Sequence, residues 1–199
     1  MNRVLVWGVA AAALVAFLLT LAAQQGMLGD PAGPRQQTAS VGGPFNLLGS
    51  DGQTVTDSDF NKSYLLVSFG FTSCPDVCPT ALQSIGQAMD LLGGDGDRLQ
   101  PLFITLDPER DTPEVVGEYA KAFHPRLIGL TGSAAQIADA AGVYRVYYAK
   151  VPSPDEDAGY TIDHSAFVYL MSPDGAYLTH FSHASTPEDI AAGVRKLLS

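Results

Sequence analysis

Residues 63–71, SYLLVSFGF, form an apolar run without a single charged residue. A strand with one face in water alternates apolar and polar side chains; an unbroken run belongs to a strand covered on both faces. In a chain that also carries helical patterns, this requirement means a sheet between two layers, an α/β arrangement.

The other patterns agree. After the run comes TSCPDVCP, residues 72–79, which holds both cysteines of the chain, Cys74 and Cys78. Pro79 can open a helix at its first position, Leu82, Ile85, Met89 and Leu92 recur at helical spacing, and Gly93-Gly94 closes it. Upstream, residues 43–60 offer an apolar segment, an Asp51-Gly52 turn and a return segment, the pattern of a small hairpin. Downstream, PLFITL (101–106) reads as a second buried strand, and Thr112-Pro113-Glu114 starts a helix to about Phe123. RLIGLT (126–131) is a third strand, and Ser133 caps a short helix ending near Gly142. Residues 164–182, HSAFVYLMSPDGAYLTHFS, read as two antiparallel strands joined around Asp174-Gly175, and Thr186-Pro187-Glu188-Asp189 caps a final helix to Leu198. The expected fold is a mixed sheet flanked by helices, in an order compatible with a thioredoxin-like domain.

Residues 4–23, VLVWGVAAAALVAFLLTLAA, are twenty positions without a charge, enough to cross a bilayer as a helix. A secretory signal peptide has a shorter apolar region, about 7–15 residues, so an uncleaved anchor is expected, although LAA before Gln24 resembles a cleavage site. Arg3 precedes the span and the next basic residue is Arg35, an asymmetry that favours an amino terminus in the cytoplasm. Residues 24–43, rich in Gly, Pro, Gln and Ser, read as a flexible linker, and residues 44–199 as one domain. The expected setting is a bacterial cytoplasmic membrane with a single N-terminal span and the soluble domain in the periplasm, where oxidised cysteines can persist. From Ser40 onward nine Lys and Arg face twenty Asp and Glu, a net charge of −11, which leaves no electrostatic footprint for nucleic acid or anionic lipid.

A domain of this size does not need a disulfide merely to stay folded. Cys74 and Cys78 stand at the carboxyl end of a buried strand beside a helix start, where α/β folds place ligand sites and where thiolates are stabilised. Four residues apart on a regular helix, their Cβ atoms would be about 5–6 Å apart, beyond the roughly 3.5–4.5 Å of a disulfide. Two sulfurs on one metal, at about 2.3 Å each, can stand up to roughly 4.6 Å apart, so a shared metal is accommodated more easily; a kinked turn allows both. Of four histidines, His124 fits a helix carboxyl end, and His180 and His183 read as solvated rim residues. His164 differs: it stands after Asp163 at the entry to a central strand.

With these residues in view, the chain resembles the Sco/SenC family of copper chaperones for cytochrome c oxidase. FGFTSCPDVCP, ITLDPERDTPE, LTGS, YRVYY and YTIDHSAFVYLMSPDG follow the family's order and spacing from about Pro44 to the carboxyl end. The resemblance implies two copper thiolates at Cys74 and Cys78, a copper imidazole at His164, and a thioredoxin-like fold. The soft thiolates suit Cu(I), and with the imidazole they can also hold Cu(II). Asp163 is a guess for the group that orients His164, since neighbours on a strand face opposite ways. The acidic residues 152–159 resemble the family's variable insert.

The implied role is that of a metallochaperone delivering copper to the CuA centre of cytochrome c oxidase subunit II, with thiol-disulfide oxidoreductase activity left open. It implies an upstream copper donor and a periplasmic thiol reductant, because a reversible Cys74–Cys78 disulfide would remove both thiolate ligands. The rival reading is a thiol-disulfide oxidoreductase or redox sensor that uses the same cysteines to reduce the CuA-site cysteines. A peroxidase has no signature beyond the cysteines themselves.

Overall fold

The computed structural model describes residues 41–153 and 159–198, together with Ala13, Leu14, Ala16 and Phe17. The chain divides into two units, Met1–Thr38 and Ala39–Ser199. In the first, the four described residues are helical and exposed. The expected span over residues 4–23 therefore lies largely outside the described residues, as do the linker and the centre of the acidic insert. Among the described residues no helix is long and apolar enough to cross a membrane.

In the second unit, β1 (Asn46–Leu48) and β2 (Thr54–Thr56) form the expected hairpin, and β3 (Tyr64–Gly70) is the apolar run. Then come α1 (Val77–Leu92), β4 (Leu99–Thr105), α2 (Pro113–Lys121), β5 (Ile128–Leu130) and α3 (Ala134–Val143). A second hairpin, β6 (Tyr148–Pro152) and β7 (Tyr160–His164), precedes β8 (Phe167–Met171), β9 (Tyr177–Ser182) and α4 (Pro187–Leu198).

The central sheet runs β5-β4-β3-β8-β9; β3, β4 and β5 are parallel, and β8 is antiparallel to both of its neighbours, so β9 runs in the direction of β3. Alternation along β3 divides the core. Leu65, Val67 and Phe69 pack with Ile137 and Ala140 of α3 and with Tyr144 just after it, whereas Leu66 packs on the opposite face with Leu82 and Ile85 of α1, Val116 of α2 and Ile190 of α4. Helices thus cover both faces, as the unbroken run requires. This is the thioredoxin-like mixed α/β architecture expected.

Two details depart from expectation. Helix α1 begins at Val77, so Cys78 is already helical and Pro79 is the third helical residue rather than the first. The first four N–H groups of a helix have no intrahelical acceptor, so proline there costs no hydrogen bond. The second departure is the β6–β7 hairpin, which forms a sheet of its own, and His164 ends β7 instead of entering a central strand. Ser165 and Ala166 separate the two strands: the Ser165 N–H donates to the Tyr147 carbonyl, and the His183 N–H to the Ala166 carbonyl. Residues 148–152 and 160–164 are short, with Pro152 ending one strand, so neither carries the length that marks a strand in sequence.

Candidate metal centre

The parallel register of β3 with β4 puts the carboxyl end of β3 at the sheet edge where such folds bind ligands. Because β8 is antiparallel, its start lies at the same edge: Ser68 pairs with Val168. The topology thus brings the turn after β3, which carries Cys74, beside the end of β7, which carries His164. Across β9, Phe167 pairs with Ser182, so His183 arrives there too.

Cys74 precedes the helix, its N–H donating to the Phe71 carbonyl at 3.2 Å, whereas Cys78 sits in the first helical turn and is buried. The helical Cβ spacing expected for the pair therefore does not apply. The Cys78 backbone N–H donates to Cys74 Sγ at 3.4 Å, a helix-start donor aimed at a sulfur. Both thiols are free. Cys78 Sγ lies 3.7 Å from His164 Nε2.

Gly70 makes this packing possible: a Cβ there would come within 2.6 Å of Cys78 Sγ and 3.0 Å of Phe103. A lone glycine inside a strand pattern is the mark of such a close approach, a signal that the sequence carried.

The sulfurs divide one proton unequally. The Cys78 thiol donates to Cys74 and holds it down to about 4 against the effect of burial, with His164 adding in the same direction. Cys78 is pushed up by its bond to Cys74 and by burial. Burial pulls the His164 imidazole down, but the Cys74 sulfur and the Ser165 carbonyl outweigh it and raise its pKa.

His164 Nδ1 lies 3.0 Å from the Ser165 carbonyl, which can only accept, so Nδ1 carries the proton and Nε2 keeps its lone pair when the ring is neutral. The orienting group is thus the Ser165 carbonyl and not Asp163, which is exposed; a backbone carbonyl has no side-chain signature. The Phe71 ring stands edge-on to the imidazole, with centroids 6.0 Å apart.

A cleft of about 290 Å³, lined among others by Phe71, Cys74, Pro75, His164 and His183, opens above the pair. A second opening, of about 340 Å³, lies at the far end of the sheet beside Leu65 and Met171, away from the cysteines. His183 is exposed on the cleft rim. His180 accepts or donates at Nδ1 with the Tyr177 hydroxyl at 2.6 Å, and His124 Nε2 stands 3.7 Å from Asp90. Neither lines the cleft.

Among the described residues no three His, Cys, Asp or Glu side chains are already gathered closely enough to hold a metal ion. The donor set nevertheless fits one. Bonds of about 2.3 Å to sulfur and about 2.0 Å to nitrogen, the values for zinc, put the two atoms about 3.7 Å apart at a 120° angle. The observed separation of Cys78 Sγ and His164 Nε2 is that distance. Cys74, half-buried at the cleft with its Sγ accepting the Cys78 N–H, offers the third donor.

The profile of the SCO1/SenC family matches residues 33–199. The chain belongs to that family. It is 39% identical over 173 residues to the SCO2-like protein of Rickettsia felis, covering 87% of this chain and 84% of that one. It is similar to the crystal structure of Arabidopsis thaliana ScoI with copper bound, at 41% identity and a TM-score of 0.73, over 79% of this chain and 98% of that one. It is also similar to BsSco, described as having a disulfide switch and as a member of the Sco family of cytochrome c oxidase assembly proteins. There the identity is 25% and the TM-score 0.62, over 80% and 94% of the two chains.

Proposed function

We propose that this chain binds copper through Cys74, Cys78 and His164 and delivers it to the CuA centre of cytochrome c oxidase subunit II during oxidase assembly. The observation that carries the proposal is the 3.7 Å approach of Cys78 Sγ to a His164 Nε2 whose lone pair is free. It is supported by family membership and by the copper-bound ScoI relative.

The site chemistry follows from the residues. Cys74 is ready as a thiolate, Cys78 gives up its proton when the ion arrives, and Nε2 completes a soft donor set for Cu(I) that also tolerates Cu(II). Three protein donors leave the cleft side of the ion open, so an acceptor's cysteines can replace Cys74, Cys78 and His164 one at a time. Cys78 regains its proton as its bond to copper is lost, and Cys74 is left as the thiolate. Residues 4–23 anchor the domain in the cytoplasmic membrane, residues 24–43 are the linker, and the domain faces the periplasm. An upstream protein supplies copper and a thiol reductant keeps the cysteines reduced.

A second reading, thiol-disulfide exchange, is favoured by the half-exposed, low-pKa Cys74 backed by the buried Cys78. In it, Cys74 thiolate attacks a partner disulfide, Cys78 resolves the mixed disulfide, and the partner is reduced by two electrons while this pair is oxidised.

One experiment separates the two. The reduced full-length chain is loaded with Cu(I), mixed with the metal-free CuA domain of subunit II in reduced or disulfide form, and copper and thiols are counted on each partner after separation. The chaperone reading predicts copper transfer to the reduced acceptor, lost in His164→Ala. Retention of copper by the chain, with reduction of the disulfide acceptor surviving His164→Ala, contradicts it and establishes the second reading.

A further inference from the structure

The segment between β4 and α2 contains two buried carboxylates, Asp107 and Asp111, with relative exposures of 0% and 1%. Buried carboxylates persist only when fully bonded, and these two are bonded to opposite sides of the cleft. Asp111 accepts the Thr72 hydroxyl at 2.5 Å and the Thr72 N–H at 3.0 Å, and takes the Thr105 hydroxyl at 2.5 Å. Its own carbonyl accepts from Thr131 at 2.8 Å, so its backbone is held as well. Thr72 lies two residues before Cys74 in the turn that carries the cysteine.

Asp107 serves the other side. It accepts the Tyr160 hydroxyl at 2.8 Å and the Arg110 Nε, while Arg110 Nη1 donates to the Tyr160 carbonyl at 3.2 Å. The guanidinium also lies over the Tyr160 ring, 4.0 Å from its centroid, and 5.9 Å from that of Phe71, the ring that stands against His164. Tyr160 opens β7 and His164 ends it.

We infer that Asp107, Arg110 and Asp111 are positioning residues that set the distance between the two halves of the metal site. Asp111 fixes the cysteine turn through Thr72; Asp107 and Arg110 fix the histidine hairpin through Tyr160. The strand network brings the two halves to one edge through the Ser165-Ala166 link into β8, but among the described residues no ladder joins the β6–β7 hairpin to the central sheet. A five-residue segment bonded to both halves supplies the cross-connection that fixes their spacing. Apolar packing of the same volume would give comparable stability, so a buried polar cluster here has its use in geometry. This inference rests on the copper reading of Cys74, Cys78 and His164 and adds what holds them in register.

Removing either carboxylate outright risks the fold, so the test uses two variants that each delete one hydroxyl. Tyr160→Phe keeps the ring under Arg110 and loses only the bond to Asp107. Thr72→Val keeps the N–H bond to Asp111 and loses only the hydroxyl bond. In the full-length chain in detergent, each is examined metal-free by chemical denaturation, by the ring ¹⁵N shifts of His164 and by the alkylation rate of Cys74. Each is then loaded with copper and examined by chelator competition and by nitrogen couplings in pulsed paramagnetic resonance of the Cu(II) form.

Tyr160→Phe is expected to shift the His164 ring signals and imidazole coupling and leave Cys74 alkylation unchanged. Thr72→Val is expected to change Cys74 alkylation and leave the ring signals in place. Each is expected to weaken copper by about 10-fold or more, as loss of a ligand's supporting bond does elsewhere. Variants that lose stability alone, with ring signals, alkylation and affinity as in the parent, overturn the inference. If the parent binds no copper, the copper reading fails, and the two metal-free readouts still decide whether this segment positions Cys74 and His164.

Discussion

Gly70→Ala probes the packing beneath the site. The added Cβ would stand 2.6 Å from Cys78 Sγ and 3.0 Å from Phe103 Cε2, where ordinary contact begins near 3.4 Å. Both neighbours are buried, Phe103 at 1% exposure, so neither can swing into solvent. Cys78 must therefore give by about 0.8 Å, the shortfall from ordinary contact, which moves its sulfur off the 3.7 Å separation from His164 Nε2. Overpacking of this kind costs about 1–3 kcal/mol, a fall of about 2–12 °C in Tm for a domain of this size. The assay is chemical denaturation of the metal-free protein together with Cu(I) competition, with Gly94→Ala as control, since nothing lies within 4 Å of a Cβ there. Gly70→Ala with the parent's midpoint and affinity would refute the claim that this glycine exists to seat Cys78.

Further outcomes follow from other contacts. Cys74, held down to about 4, is a thiolate throughout the neutral range, so its alkylation by iodoacetamide in the metal-free reduced chain should be flat from about pH 6 to 8. A rate climbing about tenfold per pH unit, as for an ordinary thiol, would contradict this; Cys78 should label slowly throughout. Gly129→Ala places a Cβ 2.2 Å from the Val116 carbonyl, backbone against backbone, and should cost more than the Gly70 change; a denaturation midpoint close to the parent's would show that α2 can move away from β5. Thr112 caps α2 through its hydroxyl and the Val115 N–H, so Thr112→Ala should lower stability by about 1 kcal/mol while leaving copper affinity in place.

The parts of the fold that were legible in sequence are those with local physical causes. The unbroken β3 run announced a doubly covered sheet, and Thr112, Ser133 and Thr186 announced helix starts because their side chains meet free N–H groups. The residues of the candidate site were legible as types, since thiolates at a helix start and a nearby imidazole have a recognisable chemistry. Their arrangement was not. The β6–β7 hairpin is stabilised by pairing across a connection with little pattern of its own, so in sequence His164 reads as the entry to a central strand and not as the end of β7. The group that orients its ring is a backbone carbonyl, invisible in any side-chain inventory. Asp107 and Asp111 stood in a motif whose meaning depends on Thr72 and Tyr160, contacts at sequence separations of 39 and 53 that no local rule connects.

The most direct test of the account is copper titration of the reduced full-length chain beside Cys74→Ser, Cys78→Ser and His164→Ala, followed by absorption and by Cu(II) paramagnetic resonance. The account predicts one copper per parent chain, sulfur-to-copper charge transfer altered by each cysteine change, and imidazole coupling lost in His164→Ala. One copper bound by His164→Ala with the parent's affinity and spectrum would contradict it.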